Sequence, residues 1–347
     1  MSHPTIQKKL SWRETFGMVA VFIPLPVVLL WTVATTAYAS YNKERSLKRI
    51  VAYAAMRYVM SNLSVPQMKA GGRTTLGTYE KWAKAAELPV TIDELGEDAR
   101  LLWIGPRRLE RVVLYLHGGA FLFPPGEFAL TFWRYVQLEL EKQNIEVGIA
   151  MLNYSGLALD FLVAAGVKPQ NLQVAGDSAG GNLVIQVLSQ MLHPLQRVPK
   201  ISLSAPLRGM LIVSPSTNLT RDKRSYTENE GRDCITLRAL ENWSAVVPRA
   251  PEADRAYREP VHAPEGWFEG ADRLVDRVLV TAGGAELGRD DIVVFGEVLK
   301  KHHPDAKLVV QKNGVHCDML FDFMTGDKLG SLTPLLVEWL AAGFTNS

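Results

Sequence analysis

The five residues Gly176-Asp177-Ser178-Ala179-Gly180 constrain the fold of this chain more than any other feature. A strand-like run, LQVA, precedes them, and a helix-like run, GNLVIQVLSQML, follows. A G-x-S-x-G sequence between a strand and a helix is typical of a sharp, strained turn that exposes the serine hydroxyl at a helix N-terminus, where negative charge is favoured. The pattern therefore predicts that Ser178 is a nucleophile. A glycine-rich turn with an incidental serine is the alternative.

Short apolar runs of strand length alternate with helix-like runs beyond about residue 85. This alternation predicts an α/β architecture, with a mostly parallel sheet covered by helices on both faces. The segment 215–265 is rich in Pro, Arg, Glu and Ser, which predicts irregular connections and part of a small cap. The predicted strands are Leu101–Ile104, Val112–Leu116, Ile145–Leu152, Leu172–Ala175, Met210–Val213, Val278–Val280 and Lys307–Val310, and the predicted helices are 127–142, 157–166, 179–192 and 289–302.

A second glycine-containing motif, His117-Gly118-Gly119-Ala120, follows the strand-like run VVLYL. An HGGG-type loop after an early strand is typical of a site whose backbone N–H groups stabilise an oxyanion. We predict the N–H groups of Gly118, Gly119 and Ala179 as these donors. His117 is predicted to hold the loop by hydrogen bonding and not to act as a base.

The general base is expected after Ser178 in the chain, because the order in this arrangement is serine, then acid, then histidine. His316 follows the last strand-like run and a turn at Asn313-Gly314, which is where a catalytic base would project. We predict His316 as the base. The other histidines after the serine turn have solvated, helix-end or loop positions: His193, His262, His302 and His303.

The acid that orients the base should follow the preceding strand-like run, VLVTAGG. Glu286 lies soonest after that run, and it is predicted to hold the imidazole in the correct tautomer. Asp290 is the alternative acid. Asp290 and Asp291 also fit an ordinary role as acidic residues in the first turn of a helix.

The motifs HGGA, GDSAGGNL, GGAELGRDD and NGVHCD together resemble those of the hormone-sensitive-lipase-like branch of the α/β-hydrolases, over about residues 95–340. Within that branch, the chain resembles fungal membrane-anchored steryl acetyl hydrolases. The resemblance implies the α/β-hydrolase fold and a serine hydrolase activity. It also places Glu286 at the family's acid position and His316 at its histidine position, and it makes Asp177 a supporting residue of the serine motif.

Two residues and one connection depart from the family pattern. Glu286 stands where the family commonly has Asp, and Ala120 replaces the third glycine of HGGG while still offering an N–H. The connection between Tyr154 and Ser178 is shorter than in relatives, which usually carry a Pro-containing segment there. This shortening is expected to weaken packing behind the serine turn.

The N-terminal region contains an uncharged apolar stretch at residues 17–39. Its length suits a helix that crosses a hydrocarbon core of about 30 Å, kinked at Pro24 and Pro26. Cleavage of a signal peptide near Ala37-Tyr38-Ala39 is the alternative. The predicted organisation is an N-terminal tail at 1–16, a transmembrane anchor at 17–39, linker and cap helices at 40–85 and an α/β-hydrolase domain at 86–347.

Basic residues lie on both sides of the anchor, and their distribution slightly favours a cytoplasmic catalytic domain. N-x-S/T sequons at Asn62, Asn153, Asn218 and Asn242 favour a lumenal domain instead. The topology stays open, and a single-pass protein of the endoplasmic reticulum membrane is the default. The basic and apolar residues of 43–63 predict either a helix in the membrane interface or an amphipathic helix packed on the domain.

Composition excludes several classes of protein. A formal charge of +2 gives no basic stripe, so no nucleic-acid partner is expected. Two cysteines, Cys234 and Cys317, exclude a disulfide framework but leave one bridge open. No Cys/His spacing suits a metal, and neither a metal nor another cofactor is predicted.

The expected reaction is acyl transfer from an ester to water. The anchor is expected to contact membrane lipid. Apolar residues beside the motifs, Phe121, Phe123, Trp267 and Phe268, suit a lipophilic ester or an ordinary core. The resemblance implies an acetyl ester of a sterol or of a secondary metabolite. Amide or lactone hydrolysis, dehydratase chemistry on the same triad, and a non-catalytic ligand-binding protein are the alternatives.

Overall fold

Eight strands form one sheet in the computed structural model, which describes residues 10–96, 99–153 and 158–345. All the predicted strands are present, and the sheet also contains an N-terminal edge strand that the sequence pattern did not indicate. The strands are β1 (Ile92–Gly96), β2 (Ala99–Trp103), β3 (Val112–Leu116), β4 (Gly148–Asn153), β5 (Leu172–Asp177), β6 (Gly209–Val213), β7 (Val278–Gly283) and β8 (Ala306–Gln311).

The sheet has the strand order β1-β2-β4-β3-β5-β6-β7-β8. β1 and β2 pair antiparallel, β2 pairs antiparallel with β4, and every later pair is parallel. β3 lies directly beside β5, with Leu116 opposite Gly176. The carboxyl ends of β3 and β5 are therefore neighbours, which brings the HGGA loop next to the serine turn.

Helices cover both faces of the sheet, and others lie over its carboxyl edge. The four helices predicted from the sequence are present, with the second shorter than expected. The helices are α1 (Trp12–Phe22), α2 (Leu25–Thr36), α3 (Leu47–Asn62), α4 (Val65–Ala70), α5 (Thr75–Ala85), α6 (Glu127–Lys142), α7 (Ala158–Ala164), α8 (Ala179–Leu192), α9 (Arg224–Glu228), α10 (Leu237–Ser244), α11 (Arg255–Arg258), α12 (Arg289–His302), α13 (Met319–Thr325) and α14 (Leu332–Thr345).

Two apolar cores lie on opposite faces of the sheet. On one face, α5, α6 and α14 contribute buried side chains such as Phe132, Trp133 and Leu336. On the other face, α7, α8 and α12 contribute side chains such as Ile185 and Phe295. Because the parallel strands are buried on both faces, they read as continuous apolar runs, and this explains why the sequence revealed them.

A third cluster joins the N-terminal helices to the cap above the carboxyl edge. It includes Tyr53 of α3, Val65 of α4, Trp243 of α10 and Phe321 of α13. Arg49, Ile50, Tyr53 and Ala54 of α3 are buried. Of the two interpretations of residues 43–63, the structure therefore shows the helix packed on the domain.

The apolar N-terminal stretch forms α1 and α2, which are interrupted at Ile23–Pro24. The segment Trp12–Thr36 has 25 residues, and an 18-residue window within it has a mean hydropathy of 2.3 and no buried residue. It is long and apolar enough to cross a membrane, and a signal sequence would meet the same criterion. A core helix of a soluble domain would be buried, which this segment is not.

The short connection before β5 begins at Tyr154, and residues 154–157 lie outside the part that the structure describes. The described residues that follow form α7 and lead into β5. A cavity of about 560 Å³ lies behind α8, between Leu159 of α7 and Leu183 and Val187 of α8.

Candidate active site

Ser178 lies at the turn between β5 and α8 with a left-handed backbone, φ 55° and ψ −119°. Its N–H donates to Val213 O at 2.9 Å, which holds the turn against the neighbouring strand. Both flanking glycines are sterically required: a Cβ on Gly180 would lie 1.9 Å from Leu116 O, and one on Gly176 would lie 2.4 Å from Gly180 O. Such backbone strain is maintained at functional sites by the surrounding fold.

Asp177 connects the serine turn to the neighbouring loop. Its buried carboxylate accepts hydrogen bonds from Tyr115 Oη at 2.5 Å and from Gly118 N at 3.2 Å, both at Oδ1. Desolvation and this carboxylate raise the pKa of Tyr115 well above its usual value. Asp177 therefore holds β3 and the HGGA loop in place, which agrees with a supporting role.

The structure revises one of the three predicted oxyanion donors. The loop turns the N–H of Gly118 toward the Asp177 carboxylate, to which this group donates a hydrogen bond. This N–H is therefore not available to an oxyanion. The loop then bends through Gly119 with φ 117° and Ala120 with φ 55°. Within residues 10–96, 99–153 and 158–345, no hydrogen bond is found for the N–H groups of Gly119, Ala120 or Ala179. These three groups fit an oxyanion hole better than the predicted set.

His117 is buried and its ring contacts the loop itself. Nδ1 lies 2.6 Å from Gly118 O, and Nε2 lies 3.4 Å from Thr75 Oγ1. Burial lowers the pKa of His117, which favours the neutral ring. His117 therefore holds the loop in place between β3 and α5.

His316 and Glu286 meet at the carboxyl edge of the sheet. Nδ1 of His316, in the loop after β8, lies 2.6 Å from Oε1 of Glu286, in the loop after β7. The other oxygen of Glu286 accepts hydrogen bonds from Gly283 N at 2.8 Å and Ser214 Oγ at 2.9 Å. Burial lowers the pKa of His316, but the charge and hydrogen bond of Glu286 outweigh it, so the pKa is raised.

Asp290, the alternative acid, lies at a different place in the first turn of α12. Its carboxylate accepts hydrogen bonds from Arg289 Nε at 2.8 Å and from Ser225 N at 2.9 Å. The hydrogen bonds from Arg289 and Ser225 outweigh burial and lower the pKa of Asp290. The structure therefore brings Glu286, and not Asp290, to His316.

Ser178 and His316 line the same two cavities, of about 90 and 240 Å³. No hydrogen bond between Ser178 Oγ and the His316 ring is found in the part of the chain that the structure describes. Hydrogen bonds between nucleophile and base are commonly long in unliganded enzymes and shorten when substrate binds. The arrangement permits an activated serine once a substrate fills the cavity.

Asp233 is a functional candidate that the sequence did not reveal. Its Oδ1 accepts hydrogen bonds from His316 N at 2.9 Å and Cys234 N at 2.7 Å, and its Oδ2 accepts one from Leu287 N at 2.8 Å. Burial raises the pKa of Asp233 to about 6. Asp233 fixes the main chain of both the base and acid loops, but nothing in its spacing distinguishes it from other acidic residues of segment 215–265.

The two cysteines are both free and buried, so the bridge left open by the sequence is not formed. Within the described residues, no group of three or more His, Cys, Asp or Glu side chains could hold a metal ion.

The apolar residues beside the motifs divide into two pairs. Phe121 and Phe123 line the cavities at Ser178, whereas Trp267 and Phe268 belong to the core against α8 and α12.

Comparison with known proteins agrees with this geometry. Residues 148–320 match the family described as the alpha/beta hydrolase fold. Among solved structures, an esterase from the bacterial hormone-sensitive lipase family superposes with a TM-score of 0.59 at 18% identity, covering 87% of this chain and 98% of that chain. Fungal esterases from Rhizomucor miehei give a TM-score of 0.58 at 18% identity, covering 78% and 89%. The chain belongs to the α/β-hydrolases.

Sequence relatives place the chain more narrowly. The protein named "Putative steryl acetyl hydrolase mug81" from Schizosaccharomyces pombe is 22% identical over 240 residues, which is 63% of this chain and 62% of that protein. Esterase LipU from Mycobacterium tuberculosis is 27% identical over 224 residues, which is 59% of this chain and 69% of that esterase. Together with the structural neighbours, these relatives show that the chain is similar to esterases, including one of the hormone-sensitive lipase family.

Proposed function

We propose that this protein is a serine carboxylester hydrolase with Ser178 as nucleophile, His316 as general base and Glu286 as the orienting acid. The observation that carries the proposal is the 2.6 Å contact between His316 Nδ1 and Glu286 Oε1 at a cavity that Ser178 also lines. The esterase names of the relatives support the same activity.

The reaction follows from the positions of these groups. Ser178 Oγ attacks the ester carbonyl carbon while His316 Nε2 accepts its proton, and Glu286 stabilises the resulting imidazolium. The N–H groups of Gly119, Ala120 and Ala179 stabilise the oxyanion, each by about 3 kcal/mol. His316 then protonates the leaving alcohol, and a water molecule activated by His316 releases the acid and regenerates Ser178.

The proposed substrate is a lipophilic ester, such as an acetylated sterol or secondary metabolite. The larger cavity at Ser178 is lined mainly by apolar side chains, including Met56, Met60, Phe123 and Met324. The name of the fission yeast relative supports an acetyl ester. This cavity suits an aliphatic or ring-containing group because methionine adapts its shape to irregular ligands.

Residues 17–39 are proposed to anchor the protein in the endoplasmic reticulum membrane, with one span. The exposed apolar segment Trp12–Thr36 supports this assignment. Glycosylation of all four sequons does not fit the fold, because the Asn218 side chain is buried and its Nδ2 donates to Asp291 Oδ1 at 3.1 Å. Asn62 and Asn242 are partly exposed and are the better acceptors in a lumenal domain.

The test is hydrolysis of p-nitrophenyl acetate by the full chain in detergent, with labelling by a fluorophosphonate. We expect Ser178→Ala to abolish labelling and to lower kcat/KM by about a thousandfold or more. Glu286→Gln should lose about a thousandfold or more, whereas Asp290→Asn should stay within about threefold of the wild type because its carboxylate pairs with Arg289. A folded wild type with neither turnover nor labelling would instead favour a non-catalytic ligand-binding protein.

A further inference from the structure

Two cavities of different chemical character meet at Ser178. The larger, of about 240 Å³, is the apolar one lined by methionines. The smaller, of about 90 Å³, is lined by Ser178 and His316 and by two arginines, Arg221 and Arg258. Asp233 and Glu286 also line it, but their carboxylates accept hydrogen bonds from the main chain and the ring of His316. Two cations therefore line the same cavity as the reacting atoms, which a neutral ester does not require.

Arg258 is held close to the catalytic loops. Its Cζ lies 3.7 Å from the centroid of the Phe121 ring, directly after the oxyanion loop. Its Nη1 donates to Asn182 Oδ1 at 3.2 Å, and Asn182 N donates to Ser178 O at 3.1 Å. These contacts fix the position of the guanidinium but occupy only part of its five N–H donors.

Neither arginine has a carboxylate within ion-pair distance among the residues that the structure describes. Glu259, next to Arg258 in the chain, uses its oxygens on Leu219 N at 2.9 Å and Arg255 Nε at 3.3 Å. Arg221 donates to Leu240 O at 2.9 Å and to Ser244 Oγ. Burial lowers the pKa of Arg258 to about 10 and also lowers the pKa of Arg221.

A half-buried cation without a counter-ion costs free energy, and an anion that binds it offsets this cost. Guanidinium groups favour carboxylates in particular, because their planar N–H groups match the two oxygens. A ligand carboxylate in the smaller cavity would satisfy both arginines while an apolar group fills the larger cavity. The ester carbonyl would then lie between the cavities, at Ser178.

We propose that the substrate ester carries an anionic group, a carboxylate, which binds Arg258 and Arg221 in the smaller cavity. This inference rests on the proposed esterase function and narrows the lipophilic esters to those with an acidic group. The carboxylate takes no part in the bond changes, so the ester and water still give one acid and one alcohol.

The experiment compares pairs of esters in which a carboxylate is present or is masked as its methyl ester, with rates corrected for hydrolysis without enzyme. One pair is 4-acetoxybenzoate and its methyl ester, with the charge on the alcohol side. The other pair is p-nitrophenyl hemiadipate and its methyl ester, with the charge on the acyl side and the carboxylate too far from the ester carbonyl for rapid closure to a cyclic anhydride. We expect kcat/KM to be about tenfold or more higher for the anionic member of one pair, which also identifies the group that occupies the smaller cavity.

Substitutions then separate recognition of charge from a merely structural role. Arg258→Met should remove most of the anionic preference, and Arg221→Met should reduce it, because each loses a charged hydrogen-bond partner. Arg258→Lys should retain part of it, since the charge stays but the planar fork is lost. Arg249→Met, at an exposed position outside the cavities, is the matched control and should keep the wild-type ratio. A structural defect would instead lower kcat/KM equally for both esters of a pair.

Binding to Ser178→Ala, measured by calorimetry, gives a readout that does not need turnover. We expect this variant to bind the anionic ester at least about tenfold more tightly than its methyl ester. If the wild type hydrolyses neither ester but this binding preference is present and disappears with Arg258→Met, the proposed activity fails and the anion site stands. Equal rates and equal binding within both pairs would overturn the inference.

Discussion

At the scale of single residues, the site depends on two buried carboxylates around one histidine. Glu286 accepts the hydrogen bond of the His316 ring, whereas Asp233 accepts that of the His316 main chain. Both are almost completely buried, so both act through a medium in which charges interact strongly. The raised pKa of His316 reflects Glu286 first and Asp233 second among the charges that raise it.

The first prediction concerns the acid limb of the pH profile. Catalysis needs the neutral imidazole, so kcat/KM should rise with pH through the raised pKa of His316, above about 6.5. Asp233→Asn removes a negative charge that favours the imidazolium, so the midpoint should move to lower pH by about half to one unit. The measurement is kcat/KM for p-nitrophenyl acetate against pH.

Asp290→Asn serves as the control for this shift, because its carboxylate pairs with Arg289 and not with the histidine. Its midpoint should equal that of the wild type. An unchanged midpoint in a folded Asp233→Asn variant would mean that Asp233 acts only on the loop geometry.

At the scale of elements, α3 joins the N-terminal region to the histidine loop. Arg49 of α3 donates to Asp322 Oδ1 at 2.8 Å and to Asp318 O at 2.7 Å, and Tyr53 Oη donates to Asp318 Oδ1 at 2.7 Å. Asp318 lies two residues after His316, at the start of α13. The same helix supplies Met56 to the apolar cavity. Docking of α3 therefore shapes both the cavity and the loop that carries the base.

The second prediction tests this docking. Arg49→Met leaves Asp318 and Asp322 without their shared cation in a buried site, which should lower the free energy of unfolding by about 3–5 kcal/mol. Lys300→Met removes only an exposed i,i+3 pair with Glu297 and should change it by less than about 1 kcal/mol. Urea denaturation of both variants measures the difference, and equal losses would show that the buried cluster contributes little.

At the scale of the whole molecule, the chain combines a folded hydrolase domain with an apolar segment, Trp12–Thr36, that has many exposed side chains. Trp12, Phe16, Ile23, Leu30 and Trp31 are all strongly exposed. The segment also touches the domain: α2 packs on α3, and Gln67 Nε2 of α4 donates to Glu14 O at 2.8 Å. Such a run of exposed apolar side chains is typical of a membrane span or of a signal sequence.

The third prediction is therefore that the full chain stays with membranes through alkaline carbonate washing and is released by detergent. A chain lacking residues 1–39 should be released without detergent, because the exposed apolar helix supplies most of the binding free energy. N-terminal sequencing of the mature protein separates the two alternatives for this segment. A mature chain that begins near Ser40 would contradict a retained anchor.

The sequence by itself determined the features that are encoded locally. The apolar runs predicted β3, β5 and β7, and the glycines around Ser178 predicted the turn that the backbone angles show. The edge strand β1 escaped prediction because its residues IDELG are half exposed and carry little apolar pattern. Spacing along the chain indicated Glu286 and His316 because each follows a strand that ends at the same edge of a parallel sheet.

Only the tertiary structure decided which groups already take part in hydrogen bonds and side-chain contacts. The sequence could not show that Gly118 donates to Asp177, since Gly118 follows β3 and Asp177 ends β5, and these strands become neighbours only in the folded sheet. The same holds for Asp233 beneath His316 and for Arg258 beside Phe121. Strand and turn preferences act within a few residues, whereas hydrogen bonds and burial depend on segments that are distant in sequence and meet only on folding.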